Sequence, residues 1–257
     1  MYTFVTSFPK KYEEDYGLPM LESVIKKWKP TDFKLCVYLE GYEGKTDGLP
    51  QVSFVEYRHI EDVEARNNFI ERNADKNGRF AEAPYNYRMD AIRFCNKVYA
   101  YSDLAFELID QQYKGWLVWL DADTVTKKRF TAEDAAKIML DEVDMVHLGR
   151  IDIDYSETGE VFAYREWTDS FVYTRLLKIY EAHGAKVRNL SEGVRGLEVF
   201  ENCMLNEHFT HNKGNRKWKD KQEVSPDVTG PKRYKQLADL IRHYSEGLET
   251  FTIVETG

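Results

Sequence analysis

Cysteine is scarce in this chain. Its three thiols, Cys36, Cys95 and Cys203, lie far apart in 257 residues. They form neither the close pairs of a zinc site nor the even set of a disulfide framework, so buried, reduced thiols and a cytoplasmic setting are expected. Long apolar runs are also missing. No stretch reaches the ~20 residues that cross a bilayer, and no membrane partner is expected. The opening segment, Met1 to Pro9, has no basic stretch and no apolar core, so it reads as structure rather than as a signal peptide. Positive charge is in deficit, with 36 Lys and Arg against 44 Asp and Glu for a net −8. That balance argues against a surface that binds nucleic acid throughout, while leaving room for a local basic patch. A glycine-rich phosphate loop is absent too: Thr6-Ser7-Phe8-Pro9-Lys10, at the end of the first expected strand, contains no glycine.

Apolar and aromatic residues are plentiful. Hydrophobic content is 42% and aromatic content 14%, enough for a sizeable core, and the 17 Tyr and 14 Phe leave some rings to line a groove. There is no internal repeat and no low-complexity linker, so one α/β domain is the simplest organisation. Alternating residues predict a strand over 2–6, ended by a loop at 7–9. Apolar residues at helical spacing predict a helix over 17–28, stopped by Pro30. Strands over 33–39 and 52–57 complete a β-α-β-β opening, the start of a doubly wound sheet. Helices over 61–73 and 87–113 lead to a buried strand over 116–120. A helix over 131–140, strands over 144–148 and 160–164, and helices over 169–183 and 196–209 follow. Residues 211–230 read as a polar loop, with a helix over 235–245 and a strand over 250–254 beyond it.

The strand Trp116-Leu117-Val118-Trp119-Leu120 runs straight into Asp121-Ala122-Asp123-Thr124. In an open α/β sheet, ligands bind outside the carboxyl ends of the strands. Two carboxylates there suit a hard divalent cation held against a diphosphate, although acidic pairs at strand ends also form turns and caps. A second constellation, His211-Asn212-Lys213-Gly214-Asn215-Arg216-Lys217-Trp218, joins an imidazole, a glycine and several cations. Imidazole can complete a carboxylate metal site, glycine lets backbone approach a phosphate, and Lys and Arg neutralise it. The competing reading is a solvated basic loop. In the third segment, Arg88 to Lys97, Arg93 and Lys97 are four apart and share one helix face. Farther on, Glu157 lies in Tyr155-Ser156-Glu157-Thr158-Gly159, which is either acceptor-pocket chemistry or a hairpin turn. Asp169, after Trp167, is either a helix N-cap or a base.

These pieces, in this order, resemble a GT-A-fold glycosyltransferase, whose sheet is mixed, mostly parallel and flanked by helices. The resemblance runs from residue 1 to about 220. It implies that Asp121-Ala122-Asp123 binds Mn²⁺ or Mg²⁺ and the ribose–diphosphate of a nucleoside diphosphate sugar. His211-x-x-Gly214-x-x-Lys217 resembles the loop of glycogenin-like and galactosyltransferase-like members. There the His is a third protein ligand, and the Gly and Lys contact the diphosphate. Those enzymes usually carry Lys-Pro-Trp, where this chain has Lys217-Trp218. Asp121, Asp123 and His211 are thus the expected metal ligands, and Asp121 is shared with the donor. Thr6, Ser7, Arg93, Lys97, Gly214 and Lys217 complete the expected donor contacts.

The resemblance also implies two halves: about 1–125 for the nucleotide sugar, and about 126–257 for the acceptor and the His loop. Asp169 and Glu157 would deprotonate the acceptor hydroxyl if the reaction inverts configuration. The segments around Gly149-Arg150, Glu157 and Asp169 resemble small bacteriophage transferases. That makes a hydroxymethylated pyrimidine in DNA one acceptor to weigh beside a glycan, a protein or a small molecule, and the host cytoplasm the setting if the chain is viral. The alternatives are a nucleotidyltransferase, which would need the missing glycine loop, and a non-catalytic nucleotide- or sugar-binding module, which would not need both carboxylates and the His.

Overall fold

The structure, a computed structural model, describes residues 1–44, 46, 48–79, 85, 90–148, 177, 179–192, 200 and 202–212. It is a mixed α/β fold around a parallel sheet. Strand β1 (Tyr2–Pro9) carries apolar side chains on both faces, and β2 (Phe33–Glu40) pairs with it in parallel over its whole length, from Tyr2↔Phe33 to Pro9↔Glu40. The outer neighbours are β3 (Val55–His59), beside β2, and β4 (Trp116–Trp119), beside β1, giving the order β3-β2-β1-β4. Near-continuous apolar strands are what a parallel sheet covered on both faces requires.

Strand alternation sends Phe4, Phe8, Leu35, Val37 and Leu39 to one face. There they meet Met20, Leu21 and Val24 of α1 (Leu18–Lys27) and an aromatic cluster of Trp28, Phe33 and Phe130. The opposite face carries Val5, Cys36 and Tyr38, which pack on Ala100 and Leu104 of α3 (Ala91–Asp110) and on Ile60. The shorter α2 (Glu64–Arg72) lies against α3. The Tyr38 hydroxyl donates to Asp103 of α3 at 2.6 Å, so this face has a polar tie as well as an apolar one. Phe8 also explains Gly17: a Cβ there would come within 2.5 Å of its ring.

Downstream, β5 (Thr124–Thr126) leads to α4 (Ala132–Ile138), which Thr131 and Asp134 start as a reciprocal capping box. Strands β6 (Met145–His147) and β7 (Val187–Asn189) form a separate parallel pair, and β8 (Phe209–His211) pairs antiparallel with β5.

Several boundaries differ from expectation. β1 does not stop at Thr6. Ser7, Phe8 and Pro9 stay in register with β2, and proline at a strand end gives up only a donor that nothing needs. β3 starts at Val55 rather than 52, and α2 starts at Glu64, after a 3₁₀ turn at Ile60–Asp62. β4 is half-buried rather than buried, as befits a strand at the edge of the described sheet. The helix expected over 196–209 is not formed where described: Met204–Glu207 is a 3₁₀ turn, and Phe209–His211 is strand. Phe209 seats its ring on Phe130 at 4.9 Å, and the β5 ladder then fixes the extended backbone. The strand expected over 160–164, most of the helix over 169–183, and the elements over 235–245 and 250–254 lie outside the described residues. Among the described residues, no helix is long and apolar enough to cross a membrane.

Candidate metal centre

The site begins where β4 ends. β4 stops at Trp119, opposite Val5, while β1 runs on to Pro9. The Leu120 N–H still donates to the Val5 carbonyl at 2.9 Å, and the chain then turns, Thr124 N–H donating to the Asp121 carbonyl at 2.9 Å. Strand order reverses between β1 and β4, with β2 and β3 on one side of β1 and β4 on the other. The carboxyl edge of such a switch point is where open α/β sheets bind ligands. Asp121 and Asp123 flank this turn, so turn-forming backbone and ligand-holding side chains coexist in one segment.

β8 brings the third residue. Its ladder pairs Thr124 with His211, Val125 with Thr210 and Thr126 with Phe209. Just past the ladder, the Asn212 N–H donates to the Asp123 carbonyl at 2.5 Å. This antiparallel register sets the imidazole beside the two carboxylates across nearly ninety residues of chain. The Phe200 ring lies against it, with ring centres 4.1 Å apart. One donor atom each from Asp121, Asp123 and His211 falls within a 4.8 Å envelope, and all three residues are half-buried.

The donor set suits a hard or borderline divalent ion: two carboxylates and an imidazole, with no thiolate. Ligands on opposite sides of an octahedral ion lie about 4.2 Å apart. The three donor atoms are thus near enough for small side-chain movements to bring them onto one ion.

Asp121 has two strong partners of its own. Lys97 Nζ lies 2.9 Å from Oδ1, and the Trp119 indole N–H donates to the same oxygen at 2.6 Å. The Lys97 ammonium also sits 4.9 Å from the Trp119 ring centre, a cation–π contact. Burial pushes the Asp121 carboxyl upward. Lys97, the indole hydrogen bond and the nearby His211 outweigh it, and the group stays below the usual carboxylate range. Asp121 is thus an anion, as a metal ligand must be.

Beside this cluster opens a cavity of about 860 Å³ at the carboxyl ends of β1 and β2. Among the described residues, Lys11, Arg66, Arg79, Arg93 and Lys97 line it, against Glu40 and Asp90, so a protein of net negative charge holds a hollow whose described lining is cationic. At its floor the Glu40 carboxylate accepts from Asn96 Nδ2 at 3.0 Å, and Arg66 Nε donates to Asn96 Oδ1 at 2.9 Å. Burial raises the Glu40 pKa, against hydrogen bonds from Ser7 and Asn96 that lower it.

The expected site residues divide clearly. Asp121, Asp123 and His211 come together, and Ser7, Arg93 and Lys97 line the cavity. Lys97 joins the two, because it also pairs with Asp121. Thr6 does neither. It points to the α1 face, opposite Ser7, and is fully buried. Glu157, Asp169, Gly214 and Lys217 lie outside the described residues. Sequence reading overlooked Glu40, Arg66 and Asn96. The signal for Glu40 was available, since it is a carboxylate at the end of a strand, as Asp121 is. Asn96 also shares a helix face with Arg93 and lies beside Lys97.

No family model matches the chain, and no curated protein matches it. Among solved structures it has a likeness to one described as the apo structure of WbbM, a bifunctional glycosyltransferase. The identity is 16% and the TM-score 0.32, over 59% of this chain and 23% of that chain. The likeness thus spans under a quarter of the other protein and is too slight to carry fold or function.

Proposed function

We propose that this protein is a divalent-metal-dependent glycosyltransferase of the GT-A type, moving a sugar from a nucleoside diphosphate sugar to an acceptor hydroxyl. One observation carries the reading: the β5–β8 register delivers His211 to the strand-end pair Asp121 and Asp123. Turn formation alone accounts for the carboxylates but not for an imidazole held beside them. The adjoining cationic cavity is the right size and sign for the nucleotide portion of such a donor.

In this reading Asp121, Asp123 and His211 hold Mn²⁺ or Mg²⁺, which when bound would offset charge on the departing diphosphate. Arg93 and Lys97 give the diphosphate charge-assisted hydrogen bonds from the cavity side, and Gly214 and Lys217 are its further contacts. Ser7, at the mouth of β1, contacts the donor. Asp169 or Glu157 accepts the acceptor's proton if configuration inverts, and only steadies developing positive charge if it is retained. Residues to about 125 form the donor half, and the remainder the acceptor half. The acceptor class is a DNA base, a glycan, a protein or a small molecule, with a hydroxymethylated pyrimidine in DNA as the first to assay.

The test is release of nucleoside diphosphate from a panel of nucleotide sugars, with Mn²⁺, with Mg²⁺ and with EDTA. Metal-dependent release from at least one donor, lost in Asp123→Asn, supports the reading. Release of pyrophosphate from nucleoside triphosphates would favour nucleotidyl transfer. Binding of nucleotides without any turnover would favour a binding module.

A further inference from the structure

Lys97 occupies an unusual place. Its side chain is 12% exposed, and its ammonium is shared between the carboxylate of a metal ligand and the wall of the anion cavity. Both Lys97 and Trp119 bond the same oxygen of Asp121, Oδ1. An ion held by Asp121, Asp123 and His211 would sit a few ångströms from that ammonium, with like charge. It would also compete with Lys97 for Asp121. An anionic diphosphate in the cavity reverses both effects. It offers the ammonium a further anionic partner and offsets its repulsion of the ion.

We infer that Lys97 acts as a charge lock on the metal site, keeping Asp121 neutralised while the cavity is empty and releasing it to the divalent ion when a nucleoside diphosphate binds. The inference rests on the metal-site reading above and goes beyond it. Metal and nucleotide then bind as a coupled pair, and the coupling is reciprocal: the ion raises nucleotide affinity by the factor by which the nucleotide raises ion affinity. Lys97 is a positioning residue for Asp121 in this role. Trp119 fixes which carboxylate oxygen Lys97 takes, but it adds no charge of its own.

The experiment titrates the full chain with Mn²⁺ alone, following free ion by electron paramagnetic resonance. It is then repeated with saturating UDP, GDP, ADP and CDP in turn. In the wild type, Mn²⁺ alone binds weakly, and one of the diphosphates tightens it about tenfold or more. In Lys97→Met, Mn²⁺ alone binds about tenfold tighter than in the wild type, and the gain on adding diphosphate shrinks. Lys97→Arg keeps the charge and the weak binding of Mn²⁺ alone, and Trp119→Phe stays within about threefold of the wild type.

The sign makes the test decisive, because losing a merely structural lysine would weaken metal binding. Lys97→Met, folded by circular dichroism, that binds Mn²⁺ alone no tighter than the wild type overturns the inference. So does Lys97→Arg behaving like Lys97→Met. Should Lys97→Met not fold, Lys97→Gln takes its place with the same two outcomes. A wild-type protein that binds no Mn²⁺ under either condition overturns the metal site itself, a failure distinct from that of the lock.

Discussion

Phe130 joins the core of the fold to the strand that carries His211, so its truncation tests both at once. The ring is 1% exposed and stacks on Phe33, with centres 5.0 Å apart and planes 8° from parallel. Phe209, His208, Trp28 and Phe4 surround it at centre distances of 4.9, 5.2, 5.8 and 6.4 Å. Its N–H donates to the Lys27 carbonyl at 3.0 Å, which ties the segment before α4 to the end of α1. Phe130→Ala removes a fully packed ring and leaves a cavity between rigid aromatic neighbours, at a cost of about 4 kcal/mol. For a chain this long that lowers Tm by roughly 8–16 °C. Phe130→Leu keeps most of the volume and costs about 1.5 kcal/mol at most, or roughly 3–6 °C. Differential scanning calorimetry measures both. With Phe130 gone, Phe209 loses its seat and β8 its anchorage, so Mn²⁺ affinity measured well below Tm also falls. A Tm loss under about 4 °C for the alanine variant would refute the packing argument. A large Tm loss with unchanged Mn²⁺ affinity would refute the claim that this ring seats β8.

Asp32 accepts from the Ala132 N–H at 3.0 Å and pairs with Lys29 at 3.1 Å, capping α4 from a hundred residues away. The Ala132 hydrogen bond, more than the Lys29 and Thr31 contacts, holds its carboxyl below the usual range against its own desolvation. A folded pKa below the unfolded one gives stability that is present above the unfolded value, near 4, and lost as pH falls through the folded value. Asp32→Ala should therefore cost about 1–2 kcal/mol at pH 7, by urea unfolding, and progressively less below pH 4. The native thiols should resist labelling by iodoacetamide at pH 8. All three are buried, and burial pushes Cys36 up to about 12 and Cys95 to about 11. Rapid labelling of either of those two in folded protein would contradict the packing described. Arg93→Ala and Lys217→Ala should each weaken nucleoside diphosphate binding by about 1.5–3 kcal/mol in calorimetry, and unchanged affinity in both would reduce them to solvated surface.

The central β1–α1–β2 unit was legible because its signals are local. Both faces of the two strands are apolar, the helix keeps a clear period, and Trp28 and Pro30 end it. The Asp121–Asp123 pair was legible for the same reason: strand and carboxylates are contiguous. What escaped depends on partners distant in the chain. A three-residue strand such as Phe209–His211 is too short for a period of two to show, and β5 and Phe130 make it a strand. Thr6 and Ser7 look alike in sequence, yet alternation buries one and turns the other to the cavity. Lys97 was legible as a cation on the right helix face. Its bond to Asp121, and the second bond from Trp119 to the same oxygen, arise only when α3 docks beside the end of β4.

Isothermal titration of Mn²⁺ into the protein, with an accepted nucleoside diphosphate present, probes the metal centre most directly. One Mn²⁺ should bind per chain in the wild type. Asp123→Asn and His211→Ala should each lower that affinity at least about tenfold, or 1.4 kcal/mol, with Tm of the metal-free protein little changed. Equal Mn²⁺ affinity in the wild type and both variants would contradict the assignment of Asp121, Asp123 and His211 as a metal centre.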